Sequence, residues 1–198
     1  MSARINAAAV FCGSRFGNLP AYRDAAEAVG TGLARAGIHL VYGGGYVGLM
    51  GVVADAAIQA GGRVTGIIPE FLESREVMHH GVTELVVTDS MHTRKQKMFA
   101  IADAFLILPG GFGTFDELME ILTWRQLQLH SKPILVVNVE NWAQGVLAML
   151  DEAVSQGFAS TEARALIEVV SDVEAALHRL ELVTHSSGHD ASEATARL

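Results

Sequence analysis

Leu106-Ile107-Leu108-Pro109-Gly110-Gly111-Phe112-Gly113-Thr114-Phe115-Asp116-Glu117 reads as a strand, a tight loop and the start of a helix. An apolar run stops at Pro109. Three glycines and a threonine follow within five residues, and then an amphipathic pattern opens with two acids in its expected first turn. Such a junction aims bare backbone N–H groups and the positive end of a helix dipole at one spot, which suits a phosphate. Glu117 lies one turn inside the helix, where its carboxylate can act on whatever that phosphate holds in place.

The same alternation runs along the chain. Strand-like runs at 7–12, 38–42, 64–68, 83–87, 104–108 and 133–137 alternate with helical patterns at 22–36, 47–60, 90–102, 114–129 and 142–156. Val169-Val170 forms a last short run before a helical stretch from Val173 to Leu182. Most of the runs are short and apolar and border Gly or Pro, as strands buried on both faces do. This order predicts an α/β fold, a single doubly wound Rossmann-like domain with a parallel sheet and helices on both faces. Ligands of such folds bind beyond the carboxyl ends of the strands. Gly13-Ser14, the run 43–48 and the run 110–113 are therefore expected on one edge. The domain is expected to span 1–183, with the polar, small-residue-rich stretch 184–198 as a flexible tail.

Composition narrows the function. The 198 residues suffice for one domain with a substantial core. A formal net charge of −8 argues against general nucleic-acid binding, since a phosphate polymer would be repelled on average. Cys12 is the only cysteine, so no intrachain disulfide can form, which fits a reducing compartment. No signal peptide is convincing and no apolar run approaches the ~20 residues of a membrane span. A cytoplasmic protein without a membrane partner is the expectation.

Several segments carry chemistry. Gly43-Gly44-Gly45-Tyr46-Val47-Gly48 fits G-x-G-x-x-G, but it follows the second strand, and the first strand's turn shows no fingerprint. A mononucleotide cradle and a tight turn with close helix–sheet packing are both open readings of it. No G-K-[ST] follows a Gly-rich loop, so a P-loop ATPase is not expected. Thr114-Phe115-Asp116-Glu117 also fits a capping box, with Thr114 as cap and Glu117 reaching back. Glu117 and Glu120 share a helical face that Thr123 and Trp124 continue, while Phe115, Leu118, Met119 and Leu122 mark the buried side. His92-Thr93-Arg94-Lys95-Gln96-Lys97 is the densest basic cluster, at a helix N-terminus where cations oppose the dipole, so a nearby anion or carboxylate would relieve it. It leads through the next strand straight to the Pro-Gly-Gly loop. The eight histidines show no metal-ligand spacing, and no cofactor or metal is expected.

Pro109 to Glu117 resembles the P-G-G-x-G-T-x-x-E motif of the LOG family, the cytokinin riboside 5′-monophosphate phosphoribohydrolases. Phe11-Cys12-Gly13-Ser14, the run 41–51, Met91-His92-Thr93-Arg94-Lys95, Thr123-Trp124 and Lys132-Pro133 are similar to that family too. The resemblance implies hydrolysis of the N-glycosidic bond of AMP or an N6-substituted AMP, giving free base and ribose 5-phosphate. It implies Arg94 and Glu117 as the catalytic pair. Glu76, Lys95, Gly110, Gly111, Phe112, Gly113, Thr114, Phe115, Asp116 and Thr123 match its substrate-binding positions, and Ser14, Gly44, Gly45 and Glu120 are further candidates. A nucleoside monophosphate is the implied partner, in a homodimer with the site near the interface. Phe112 stands where tyrosine is common, and Phe115-Asp116 where leucine-glutamate is common; neither change removes a catalytic group. Relatives often carry a lysine decarboxylase label, but Lys95, Lys97 and Lys132 are the only lysines and none sits in a recognisable cofactor pocket. A non-catalytic nucleotide sensor is the alternative. It could keep the glycine loops without the Arg–Glu pair, and the presence of both favours an enzyme.

Overall fold

A computed structural model describes residues 4–72 and 78–181. Glu76 and the expected tail at 184–198 lie outside the described residues. The strands are β1 (Ala7–Phe11), β2 (His39–Tyr42), β3 (Val64–Pro69), β4 (Glu84–Thr88), β5 (Ala104–Ile107), β6 (Ile134–Val137) and β7 (Glu168–Val170). They pair in parallel in the order β4-β3-β2-β1-β5-β6-β7. The helices are α1 (Pro20–Arg35), α2 (Gly48–Gln59), α3 (Met91–Ile101), α4 (Phe112–Gln126), α5 (Gln144–Ser155) and the single turn α6 (Thr161–Arg164). A further helix covers 173–181. The expected doubly wound sheet is present.

Residue alternation along the strands builds two cores. In β1, Ala8 and Val10 face a layer that includes Val29 and Leu33 of α1 and Val53 of α2. Ala7, Ala9 and Phe11 face the opposite layer with Met98 of α3, Leu118 and Ile121 of α4 and Val146 of α5. Each large aliphatic chain buried this way contributes about 1.5–3 kcal/mol. Helix α1 begins at Pro20 rather than Tyr22, because proline's fixed φ suits the first helical position and its missing N–H has no partner to lose there.

Beyond β1 the chain steps outward through β2, β3 and β4, then returns to place β5 on the other side of β1. That reversal opens a crevice at the carboxyl ends of β1 and β5. The three glycine turns meet there. Gly13 N–H donates to the Pro109 carbonyl at 3.0 Å, and Leu49 N–H donates to the Gly13 carbonyl at 3.0 Å.

Helices α3 and α4 are tied together far from this edge. His130 Nε2 donates to the Ile121 carbonyl of α4 at 2.9 Å, and Lys132 N–H donates to His130 Nδ1 at 3.2 Å. Lys132 Nζ donates to the Phe99 carbonyl of α3 at 2.6 Å and stands 4.1 Å from the centre of the Phe99 ring. His130 must therefore be neutral with its proton on Nε2. Burial pushes its pKa below the usual histidine value, the Ile121 carbonyl opposes this, and Arg125 and Lys132 push it lower. His39 is lowered as well, by burial and then Arg63, against Glu84. As pH falls below ~6.5 the unfolded chain takes up protons that the folded state refuses, so stability is lost toward the folded-state pKa values. The melting temperature should fall between about pH 7.5 and pH 5.5, and less so in His130→Gln. Equal falls in both proteins would remove His130 from this account.

Candidate active site

Helix α4 begins at Phe112, two residues before Thr114. Gly111 occupies the cap position and no side chain caps the helix. The capping box expected from Thr114 and Glu117 does not form, and the two acids fall beyond the first turn. The reason lies in the loop. Gly110 leaves no room for a Cβ because the Thr114 side chain packs directly over it, so Thr114 is a buried wall inside the first turn. The first N–H groups of α4 are thereby left without a side-chain acceptor, and such groups suit an anion.

Glu117 lies three to four residues beyond Gly113 and Thr114, one turn deeper on the same face. Its Oε1 stands 3.3 Å from Arg94 Nη1, with both side chains more than nine-tenths buried. Arg94 comes from the first turns of α3, where Ser90 caps the helix by accepting from Thr93 N–H at 3.2 Å. Arg94 Nε donates to the Ile67 carbonyl of β3 at 3.0 Å. The guanidinium thus has a fixed plane and a fixed charge, since arginine stays protonated. Lys95 lies 2.7 Å from Asp116 and 3.1 Å from Glu120. Burial pulls the Lys95 pKa down, but these two carboxylates outweigh it and leave it raised. The carboxylates of α4 thereby relieve the cations at the α3 N-terminus.

A cavity of about 210 Å³ joins these parts, bounded by Arg94, Glu117, Gly111, Phe112, Gly113, Thr114, Ser14 and Gly43, with Val10, Phe11, Cys12, Gly13, Met50, Leu72 and Met91 completing it. Burial pushes the Cys12 thiol far above its usual pKa, and Glu117 adds to the shift, so this wall is an inert thiol. A carboxylate below a phosphate cradle, backed by a fixed cation, can stabilise positive charge developing on a sugar and orient a water.

The expected residues do not all converge. Phe115 turns to stack on Trp142, with ring centroids 5.5 Å apart. Asp116 and Glu120 reach Lys95 rather than the cavity, and Thr123 is exposed farther along α4. Gly110 borders a neighbouring cavity. Gly44 and Gly45 line neither cavity. Gly44, at φ 78°, packs closely on Ile67 and Ile68, and Gly45 forms a bridge to Met78. Gly43 is the member of that run at the cavity, where any Cβ would strike the Arg94 guanidinium. The run 43–48 is expected on this edge, and Gly43 is its member at the cavity; Met50, Leu72 and Met91 are not among the sequence candidates. No group of three metal-ligating side chains occurs among the described residues. No helix among them is long and apolar enough to cross a membrane.

The profile of a family described as "possible lysine decarboxylase" matches residues 50–180. The chain is 44% identical over 172 residues to cytokinin riboside 5′-monophosphate phosphoribohydrolase LOG2 of Arabidopsis thaliana, covering 87% of this chain and 81% of the relative. It is 44% identical over 169 residues to the cytokinin riboside 5′-monophosphate phosphoribohydrolase of Rhodococcoides fascians, covering 85% of each. Among solved structures, a molybdenum cofactor binding protein from Rippkaea orientalis superposes with a TM-score of 0.69 at 21% identity, covering 91% of this chain and 98% of that one. That likeness speaks for the fold alone. Identity at the level of the two phosphoribohydrolases, over four fifths of each chain or more, makes this protein a member of the LOG family.

Proposed function

We propose that this protein is a phosphoribohydrolase that cleaves the N-glycosidic bond of AMP or an N6-substituted AMP such as a cytokinin riboside 5′-monophosphate. The products are the free base and ribose 5-phosphate. The observation that carries the reading is the buried Arg94–Glu117 pair, 3.3 Å apart, one turn below the uncapped start of α4. Relatives at 44% identity bear the name of this activity.

The residues divide the work. Backbone N–H groups at Gly111, Gly113 and Thr114 hold the 5′-phosphate, with Ser14 across the crevice. Glu117 then lies beside the anomeric carbon. As the C1′–N bond breaks, its electron pair leaves with the base and positive charge grows on the ribose. The Glu117 carboxylate stabilises that charge and orients the attacking water, whose oxygen bonds to C1′. One proton of the water ends on the sugar hydroxyl and the other balances the leaving base. Arg94 holds Glu117 and the substrate in place. Lys95, bound by two carboxylates with its pKa raised, is the opposite of the neutral amine that imine chemistry requires, so the decarboxylase label finds no support in its surroundings.

Phosphate binding far from the bond that breaks contributes to reaction there. Two charge-assisted hydrogen bonds at about 1.5–3 kcal/mol each make kcat/KM for AMP at least a hundredfold or so above that for adenosine. Equal values for the two substrates would contradict the reading. The protein acts as a homodimer with the site near the interface. The family resemblance supports this, as do exposed Phe71 beside Leu72 at the cavity and exposed Val87 and Ile101 on β4 and α3. A cytoplasmic setting is supported by the lone buried thiol of Cys12.

A further inference from the structure

The glycine loop has open space on two sides. A second cavity, about 580 Å³, shares Gly13, Ser14 and the run 111–113 with the first but contains neither Arg94 nor Glu117. Phe16, Tyr22, Leu49 and Trp142 line it. The loop is a thin partition between two voids, packed at Gly110 under the Thr114 side chain. Two hydrogen bonds from outside the loop hold its carbonyls. Gly13 N–H holds the Pro109 carbonyl at 3.0 Å, and Trp142 Nε1 donates to the Gly110 carbonyl at 3.1 Å.

Trp142 is well placed to bear this. Its own N–H donates to the Val139 carbonyl at 3.0 Å, and the next residue, Ala143, donates to Asn138 Oδ1 at 2.8 Å. Its ring lies flat against Phe115 in α4, at an interplanar angle of 14°. The tryptophan therefore grips both the loop and the helix that the loop opens. The Gly110–Gly111 peptide is trans, as are all described peptide bonds. In a planar trans peptide the carbonyl and the next N–H point in opposite directions. A Gly110 carbonyl held toward Trp142 sends the Gly111 N–H away from it.

We infer that Trp142 is a positioning residue for phosphate recognition: its indole N–H, by holding the Gly110 carbonyl, sets the Gly111 N–H toward the 5′-phosphate of the substrate. This rests on the proposed function for the presence of that phosphate. It adds a residue from the β6–α5 connection that touches neither the sugar nor the base.

The test is Trp142→Phe, which keeps one aromatic ring against Phe115 while removing the donor and the second ring of the indole; adenosine, which has no phosphate, reports any effect of the lost ring. KM for AMP should rise about fivefold to tenfold, as for one lost hydrogen bond, with kcat within about twofold and kcat/KM for adenosine unchanged. Ribose 5-phosphate affinity, measured by calorimetry, should fall by the same factor. A merely structural role would lower kcat for both substrates at constant KM, and that result would overturn the inference. In the unaltered protein, ribose 5-phosphate should slow amide exchange at Gly111, and unchanged exchange would also overturn it. Should the wild type bind ribose 5-phosphate yet cleave no nucleotide, the proposed function fails. The affinity of Trp142→Phe for ribose 5-phosphate still decides the role of the indole.

Discussion

Glu117→Gln should reduce AMP turnover by about a thousandfold while leaving AMP affinity within about threefold. The substitution keeps the shape, exchanges one acceptor oxygen for an NH2 donor and removes the negative charge. In the proposed function the phosphate is held by backbone groups of the loop and of Thr114, which the change does not touch. The loss therefore falls on the step in which charge grows on the ribose. The capping-box reading makes the opposite forecast, because glutamine serves a capping box nearly as well as glutamate. The structure already disfavours that reading, with Gly111 at the cap and Thr114 in the first turn. Single-turnover rates with AMP, beside binding measured by calorimetry, give both numbers. Full turnover in Glu117→Gln would return the residue to a structural role.

Arg94→Ala should damage the fold as well as the chemistry. The guanidinium and its partner carboxylate are both buried, and removing the arginine takes from Glu117 the cation 3.3 Å away. Such losses cost about 3–5 kcal/mol. In a domain of this size that lowers the melting temperature by roughly 6–20 °C. Turnover should fall at least about a hundredfold, since Arg94 fixes the geometry of Glu117. Arg94→Lys restores the charge but not the bond to the Ile67 carbonyl or the planar fork, so it rescues stability only in part. Adding Glu117→Gln to Arg94→Ala should recover stability, because the buried carboxylate charge is removed along with its cation, but no activity. A thermal scan of the four proteins checks this. A double variant less stable than Arg94→Ala would mean that the pair's charges are not coupled as the distance implies.

The fold was largely legible because strand–helix alternation and glycine punctuation are local signals. The convergence of Arg94 with Glu117 was legible for a related reason. One strand, β5, separates the basic cluster from the glycine loop, so a parallel sheet brings the two helix starts together. The start of α4 was not legible. A threonine followed three residues later by glutamate satisfies a capping pattern, and nothing local reveals that Gly111 takes the cap while Thr114 packs over Gly110. Gly44 and Gly45 looked like ligand residues because a glycine run does not say which member faces a cavity. Only the packing of Ile67, Ile68 and Arg94 separates them from Gly43. Trp142 lies about thirty residues from the loop it holds, and α6 is one turn long, too short to show a period.

The most direct test of the central claim is product analysis of the purified protein incubated with AMP and with its N6-isopentenyl analogue. Free base and ribose 5-phosphate are expected in equal amounts from at least one of them, with neither product from Glu117→Gln over the same interval. Tight binding of both nucleotides with no base released from either would contradict it and leave the protein a nucleotide sensor.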